Sequence, residues 1–332
     1  MSELPEPVPR PREVLIRVMA STINIDDIHM AEGTFYGGIP MGPAPALERP
    51  VIPGSDVAGI VMTVGSKVRS VRPGDAVFGV QNPFQRGGAW AELCAVDERW
   101  VTGKPENRPF EEAAASGIAG LVALSALKAA RLKPGARVVI VGASGGIGSL
   151  AVQMAARAGA EVVGICGSKS KERALQLGCS EVIPYDGPPW DDVLLGSGRS
   201  RCDAVLDLVG GEDVERAGRR VLGRQGRFVT VVGPVRFIGD RPLGWFGILT
   251  VVGRVAIRML RSFFRGPRYI LTGPGMGAGK VLPEVARALG EGILPMIDEI
   301  VPFEEEAMRC ALKRAVGHQN RGRIVIRLAE ST

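Results

Sequence analysis

The stretch Arg137-Val-Val-Ile-Val-Gly142-Ala143-Ser144-Gly145-Gly146-Ile147-Gly148-Ser-Leu-Ala-Val-Gln-Met decides the fold. Val138 to Val141 form an apolar, β-branched run, the pattern of a parallel strand covered on both faces. Gly142, Gly145 and Gly148 space a G-x-x-G-x-x-G turn. Leu150 to Ala158 then continues as a helix that leads through Gly159 into a second strand, Glu161 to Ile165. Lacking Cβ atoms, the three glycines permit a tight turn, close approach of backbone to a pyrophosphate, and close helix–strand packing. The helix N-terminus offers unpaired N–H groups to phosphate. The turn, with Ala143, Ser144, Gly146 and Ile147 between its glycines, is the expected dinucleotide grip.

Downstream, the βα alternation continues. Helix 171–177 precedes strand 181–183, strand Ala204 to Leu208 precedes a helix near Val214 to Val221, and strand Arg227 to Val232 follows. This alternation predicts a doubly wound parallel sheet. Upstream, residues 12 to about 105 read as short strands separated by turns such as Gly65-Ser66 and Pro73-Gly74, which predicts a small barrel-like domain. Between the two, Glu111 to Ala115 and Leu121 to Ala130 read as two helices. The last segment reads as strand 269–272, helix 281–289, strand 296–301, helix 303–316 and strand 323–328.

The segment from 243 to 265 stands apart. Leu243 to Val252 is nearly all apolar but only about ten residues long, short of the about 20 that cross a bilayer. Arg254, Arg258, Arg261 and Arg265 then recur at intervals of three and four, with Met259, Leu260, Phe263 and Phe264 on the other side. The pattern predicts a surface helix with a solvated basic stripe and a core-facing apolar side. Sharper readings are a lid over an apolar substrate site and peripheral membrane contact.

Composition is that of an ordinary globular chain long enough for two domains: 332 residues, 45% hydrophobic and 23% charged. A net charge of +6 suits a phosphate-rich cofactor, and no cluster of aromatic and basic residues marks a nucleic-acid face. Five scattered cysteines without a C-x-x-C pair suggest reduced thiols and no structural zinc. The N-terminus has neither the apolar core of a secretory signal nor an arginine-rich amphipathic presequence, so the expectation is a cytoplasmic protein.

Five motifs occur together and in order. They are Val51-Ile-Pro-Gly-Ser-Asp-Val-Ala-Gly, Arg72-Pro-Gly-Asp-Ala-Val-Phe-Gly, Gly87-Gly-Ala-Trp-Ala-Glu, Lys133-Pro-Gly running into the glycine turn, and Gly317-His-Gln-Asn-Arg-Gly-Arg-Ile-Val. Over nearly its whole length the chain resembles the medium-chain dehydrogenase/reductase superfamily, within it the zinc-free quinone oxidoreductase branch that includes zeta-crystallin. Segment 243–272 and the terminal motif are similar to the reticulon-interacting mitochondrial oxidoreductases and their bacterial relatives. The resemblance implies a GroES-like catalytic domain (1–117) with a Rossmann domain (118–292) inserted and a return segment (293–332). It also implies a cleft where nicotinamide meets substrate, and homodimers through the Rossmann edge strand. Zinc members carry Gly-His-Glu where this chain has Gly54-Ser55-Asp56, and Ser55 cannot replace an imidazole ligand. No metal is therefore expected. Relatives in this branch place two strands ahead of the position where this chain reads Pro5-Glu6-Pro7, so either a barrel edge is absent or the start lies upstream. Their Gly-Leu-Thr-Ala run is here Gly120-Leu121-Val122-Ala123, which removes one hydroxyl near the nicotinamide.

An acidic residue at the end of the second Rossmann strand would bond the ribose of NAD. Here the strand ends Cys166-Gly167-Ser168-Lys169-Ser170-Lys171, a hydroxyl and two lysines, and Tyr185 matches a tyrosine that lies by the adenosine phosphate in relatives. NADPH is the expected cofactor. Val209, Gly210, Val232 and Gly233 follow the fourth and fifth strands as further backbone contacts, and Arg323 reaches the cofactor from the returning segment. Asn24 matches an asparagine near the nicotinamide in relatives. Tyr36, after Gly33, is the best proton donor, although alignment with the enoyl-thioester reductase tyrosine falls on Phe35. His29 reads as structural, and His318 as part of loop geometry. The expected function is hydride transfer from NADPH to a small apolar electrophile, a quinone or an α,β-unsaturated carbonyl. The alternatives are an enoyl-thioester reductase and a low-turnover NADPH-binding or regulatory protein.

Overall fold

The structure, a computed structural model, describes residues 3–32, 34–35, 39–40, 51–81, 87–199, 201–235, 244–273, 278–317 and 320–329. The chain divides into two compact units, Met1–Leu121 with Met276–Thr332, and Val122–Gly275.

The first unit opens with β1 (Glu13–Ile23), α1 (Ile25–Ala31), β2 (Thr34–Phe35), β3 (Ile39–Pro40), β4 (Asp56–Val64), β5 (Ala76–Val80), β6 (Leu93–Asp97) and β7 (Val101–Gly103). Helix α2 (Phe110–Ala130) runs into the second unit. That unit contains β8 (Arg137–Val141), α3 (Gly146–Arg157), β9 (Glu161–Cys166), α4 (Lys171–Gln176), β10 (Glu181–Pro184), α5 (Trp190–Gly196) and β11 (Cys202–Asp207). It continues with α6 (Glu212–Val221), β12 (Leu222–Thr230), α7 (Gly244–Arg265) and β13 (Arg268–Leu271). The chain returns to the first unit with α8 (Leu282–Gly290), β14 (Ile297–Pro302), α9 (Glu305–Val316) and β15 (Arg323–Arg327).

In the first unit β1 is the axis. It pairs antiparallel with β4, β6 and β15, in a sheet ordered β14-β15-β1-β4-β5-β7. Irregularities at Leu15/Ile16 and Val18/Ala20 bend β1 so that one strand serves several neighbours. Val14, Ile16, Val18, Val57, Val61 and Val77 form its core. The second unit is a six-stranded sheet ordered β10-β9-β8-β11-β12-β13, with every pair parallel. Numbered within the unit this is 3-2-1-4-5-6, the doubly wound Rossmann order. β8 is buried along its whole length, as its apolar run requires.

Three elements differ from the sequence reading. The two helices expected over 111–130 are one helix, α2. Gly117 and Gly120 lie inside it, and close neighbours leave no room there for a larger residue: a Cβ at Gly117 would sit 2.3 Å from Asp56 Oδ1, and one at Gly120 2.5 Å from Val285 Cγ1. Helix α5, with Trp190 buried, went unread. Helix α7 is continuous, joining the apolar run to the arginine stripe, and its apolar side is turned opposite to expectation. Arg254 and Arg258 point inward to Glu212 and Glu215 on α6, with Arg258 Nε 2.6 Å from Glu215 Oε2. Val255 packs on the core and Ser262 is buried, while Met259, Leu260, Phe263 and Phe264 face solvent. The two carboxylates on α6 decide which face turns in.

Candidate functional site

In the second unit the glycine turn follows β8 as its residue types dictate. Gly142 takes φ +87°, a conformation costly for a side chain, and the Gly142 and Ala143 N–H groups donate to Ile165 O at 2.9 and 3.1 Å, closing the turn onto β9. A Cβ at Gly148 would stand 2.0 Å from Gly142 O, so only glycine lets α3 start this close to the strand. The first-turn N–H groups of α3 lack intrahelical acceptors and face the strand end, an arrangement that suits a pyrophosphate. Ser144 lies against the Cys166 thiol, whose pKa burial raises.

The register β8–β9–β10 places the ends of β9 and β10 side by side. Ser168, Lys169 and Lys171 are exposed there, and Tyr185 is 68% exposed with its hydroxyl close to Gly167. A carboxylate also arrives that the sequence reading did not place. Asp186 Oδ2 accepts from Ser168 Oγ at 2.6 Å and Oδ1 from Ser168 N at 3.1 Å, and the Ser168 hydroxyl bond holds the Asp186 carboxyl below its usual range.

The ends of β11 and β12 are locked by a buried pair that also went unread. Asp207 Oδ1 accepts from the N–H groups of Val209 (3.0 Å) and Gly210 (2.7 Å), and Oδ2 accepts from Thr230 Oγ1 (2.8 Å). Thr230 Oγ1 in turn accepts from Gly233 N at 2.9 Å and Val232 N at 3.3 Å. Gly210 takes φ +81°, with Val232 Cγ1 2.6 Å from where its Cβ would be. Two side chains thus set both loops at the carboxyl edge where open α/β sheets bind ligands.

The first unit holds a buried polar cluster. Asn24 precedes α1, and its N–H donates to Asp27 Oδ2 at 2.9 Å. Asp27 Oδ1 accepts from the Ser55 N–H (2.7 Å) and the Ser55 hydroxyl (2.5 Å). Burial pushes the Asp27 carboxyl up to about 6, against the lowering effect of the Ser55 bond. Asp56 has no exposed surface and accepts from Thr22 Oγ1 (2.5 Å), Asn24 Nδ2 (3.1 Å), the Ile118 N–H (2.6 Å) and Arg323. Arg323 Nη1 donates to Asn24 Oδ1 at 2.7 Å, and its Nη2 to Thr22 Oγ1 at 2.6 Å. The Arg323 guanidinium, expected at the cofactor, is committed inside its own unit, where it orients Asn24. Ser55, at the position of a zinc ligand in other members, holds Asp27. Among the described residues, no three His, Cys, Asp or Glu side chains converge as a metal site. His29 is buried beside Glu32. Cys94, Cys166, Cys179 and Cys202 are buried, and burial raises all four thiols, Cys94 and Cys179 to about 12. They are poor nucleophiles. Tyr36 and His318 lie outside the described residues.

A family model described as alcohol dehydrogenase GroES-like domain matches residues 10–106, and one described as zinc-binding dehydrogenase matches residues 146–263. The NAD(P)H oxidoreductase RTN4IP1, mitochondrial, of Bos taurus is 32% identical over 329 residues, covering 95% of this chain and 82% of that protein. The chain belongs to the medium-chain dehydrogenase/reductase superfamily. Within it, the chain falls in the quinone oxidoreductase-like branch. The quinone oxidoreductase of Mus musculus is 32% identical over 235 residues, 69% of this chain and 67% of that one. The solved quinone oxidoreductase from Coxiella burnetii superposes with a TM-score of 0.74 at 26% identity, covering 98% of this chain and 93% of that chain. This superfamily member is an oxidoreductase that uses a nicotinamide cofactor. The expectation of a cytoplasmic protein is overturned: the RTN4IP1 relatives of cattle, mouse, human and zebrafish, alike to it over 95–96% of its length, are named mitochondrial. Scattered reduced cysteines do not separate the two compartments.

Proposed function

We propose that this chain is a zinc-independent, NADPH-dependent reductase that delivers hydride to a quinone or an α,β-unsaturated carbonyl compound. The observation that carries the reading is the glycine turn: Gly148 packed against Gly142 O beneath the open first turn of α3, on the carboxyl edge of a 3-2-1-4-5-6 sheet. Gly142 to Gly148 hold the pyrophosphate, and Val209, Gly210, Val232 and Gly233 offer backbone along the same edge. Ser168, Lys169, Lys171 and Tyr185 receive the adenosine 2′-phosphate. When bound, NADPH supplies the hydride. The protein supplies position and dryness: Arg323, Asp56 and Thr22 hold Asn24 in one orientation, and Asp27 is fixed by Ser55. Zinc independence is supported by Ser55, whose hydroxyl lies on Asp27 where other members bind metal. The apolar electrophile needs no protein nucleophile, in keeping with buried, high-pKa thiols. A homodimer through the β13 edge fits a strand that, among the described residues, pairs on one side only, with β12.

A second reading, NADH, is favoured by Asp186. Its carboxylate sits on Ser168, where it suits a ribose hydroxyl better than a phosphate. Steady-state oxidation of NADPH and NADH with a panel of quinones, enones and enoyl thioesters tests both. NADPH oxidation by quinones or enones with kcat/KM at least tenfold above NADH supports the proposal. Preference for NADH replaces the cofactor, preference for enoyl thioesters replaces the substrate class, and binding without turnover makes the chain a cofactor-holding protein.

A further inference from the structure

Among the described residues, the outward face of α7 has no partner. Phe246 is 89% exposed and Phe264 73%, and Leu249, Val252, Ile257, Leu260 and Phe263 are exposed between them. At 100° per residue these positions share one side of the helix, opposite Val255, Arg258 and Ser262. A continuous apolar face of this kind on a soluble unit marks an interaction surface. Between Gly244 and Arg265 the helix carries four arginines and no carboxylate, so it is not a spanning segment.

Cations gather at one flank of the face and at the C-terminal end of α7: Arg261 flanks the apolar positions, and Arg265, on the Arg258 side, ends the helix. Arg261, Arg265, Arg268 and Arg224 are exposed, and among the described residues none lies within ion-pair distance of a carboxylate. The Arg268 guanidinium lies 4.4 Å over the Phe263 ring, so charge and apolar surface are contiguous. β12 and β13 pair Arg227 with Arg268, and Gly266 packs on the Arg224 carbonyl, gathering these cations at the C-terminal end of α7.

We propose that α7 lies on the surface of an anionic phospholipid bilayer, its phenylalanines and leucines at the acyl boundary and its bordering arginines among the phosphates. Such helices combine an apolar face with cations that meet anionic headgroups. A second copy of the chain is the lesser candidate. A partner α7 would bring the same arginines and no carboxylates, whereas anionic headgroups neutralise them. The arginines that sequence periodicity assigns to solvent are divided in this arrangement. Arg254 and Arg258 anchor the helix to Glu212 and Glu215, while Arg261 and Arg265 are left for the membrane.

The test is co-sedimentation of the full chain with phosphatidylcholine vesicles, with and without phosphatidylglycerol, together with its mass in solution. Binding is expected on the mixed vesicles, at least tenfold weaker on phosphatidylcholine alone or in 0.5 M salt. It is expected to be lost in L249Q/F263S/F264S and weakened several-fold in R261Q/R265Q. The substituted side chains are exposed, and an unchanged thermal transition verifies folding. If the triple variant fails to fold, the arginine variant and the salt series decide alone. No binding of the native chain to mixed vesicles overturns the proposal, as does binding that neither the variants nor salt reduce. A triple variant of half the native mass, with vesicles ignored by both, assigns the face to a second copy instead.

Discussion

Replacing Arg323 by alanine isolates the contact that ties the C-terminal strand to the start of the chain. Asp56 is fully buried, and its carboxylate is balanced by Arg323 with Thr22, Asn24 and the Ile118 N–H as neutral donors. Removing the cation leaves a buried carboxylate without its counter-charge, which costs about 3–5 kcal/mol. In a domain of 150–250 residues that is a fall of roughly 6–20 °C in midpoint, at about 2–4 °C per kcal/mol. R323K keeps the charge but loses the fork that reaches Asn24, Thr22 and Asp56 together, so an intermediate loss is expected. Circular dichroism melts and urea titrations of both variants give the values. Adding D56N to R323A should restore part of the loss, because the stranded charge is gone, and the double-mutant cycle should show about 1–3 kcal/mol of coupling. A loss below about 1 kcal/mol for R323A, or a cycle without coupling, would refute the role of the pair.

Other perturbations follow from the same geometry. Asp27 has a folded pKa of about 6 against an ordinary 3.8, so its protonation favours the folded state. That stability is present below about pH 4 and is lost as pH rises through 6, about 3 kcal/mol in all. D27N should show a flatter stability profile between pH 4 and 7 in parallel urea titrations, and identical slopes would contradict the burial argument. D186N frees Ser168 and removes a negative charge from the position proposed for the 2′-phosphate. The NADPH-to-NADH ratio of kcat/KM should rise about three- to tenfold, most at low salt, and a fall would place the phosphate elsewhere. G148A drives a methyl group into Gly142 O, and cofactor affinity should drop at least about tenfold with about 1–3 kcal/mol of stability lost. Fluorescence titration showing native affinity would mean that the turn does not hold the dinucleotide.

The doubly wound Rossmann sheet was legible because its signals are local, although its strand order was not read. An apolar β-branched run, three spaced glycines and a helix-period segment each constrain the next few residues. What was not legible depends on residues brought from afar. Arg323 and Asn24 are 299 positions apart, so the cluster around Asp56 has no spacing signature. Asp186 lies just past the end of β10 and meets Ser168 only because β10 lies beside β9. The helices read over 111–115 and 121–130 are one, and its interior glycines are explained only when Asp56 and Val285 are seen against them. The amphipathic pattern of α7 was read correctly as a two-sided helix, but Met259, Leu260, Phe263 and Phe264, expected toward the core, face solvent. Of the arginines expected in solvent, Arg254 and Arg258 turn to α6 while Arg261 and Arg265 stay exposed. Periodicity tells which residues share a face, and the acids on α6 decide which face turns in. Asp207 and Thr230 fell inside the strands read over 204–208 and 227–232, and a hydrogen-bonded pair that orients two loops needs the parallel register of β11 on β12.

Titration of the folded protein with NADPH and with NADH in a calorimeter tests the dinucleotide grip most directly. The turn at 142–148 predicts one site per chain, with micromolar or tighter affinity for NADPH that G148A weakens at least about tenfold. Heat indistinguishable from dilution for both nucleotides would contradict it.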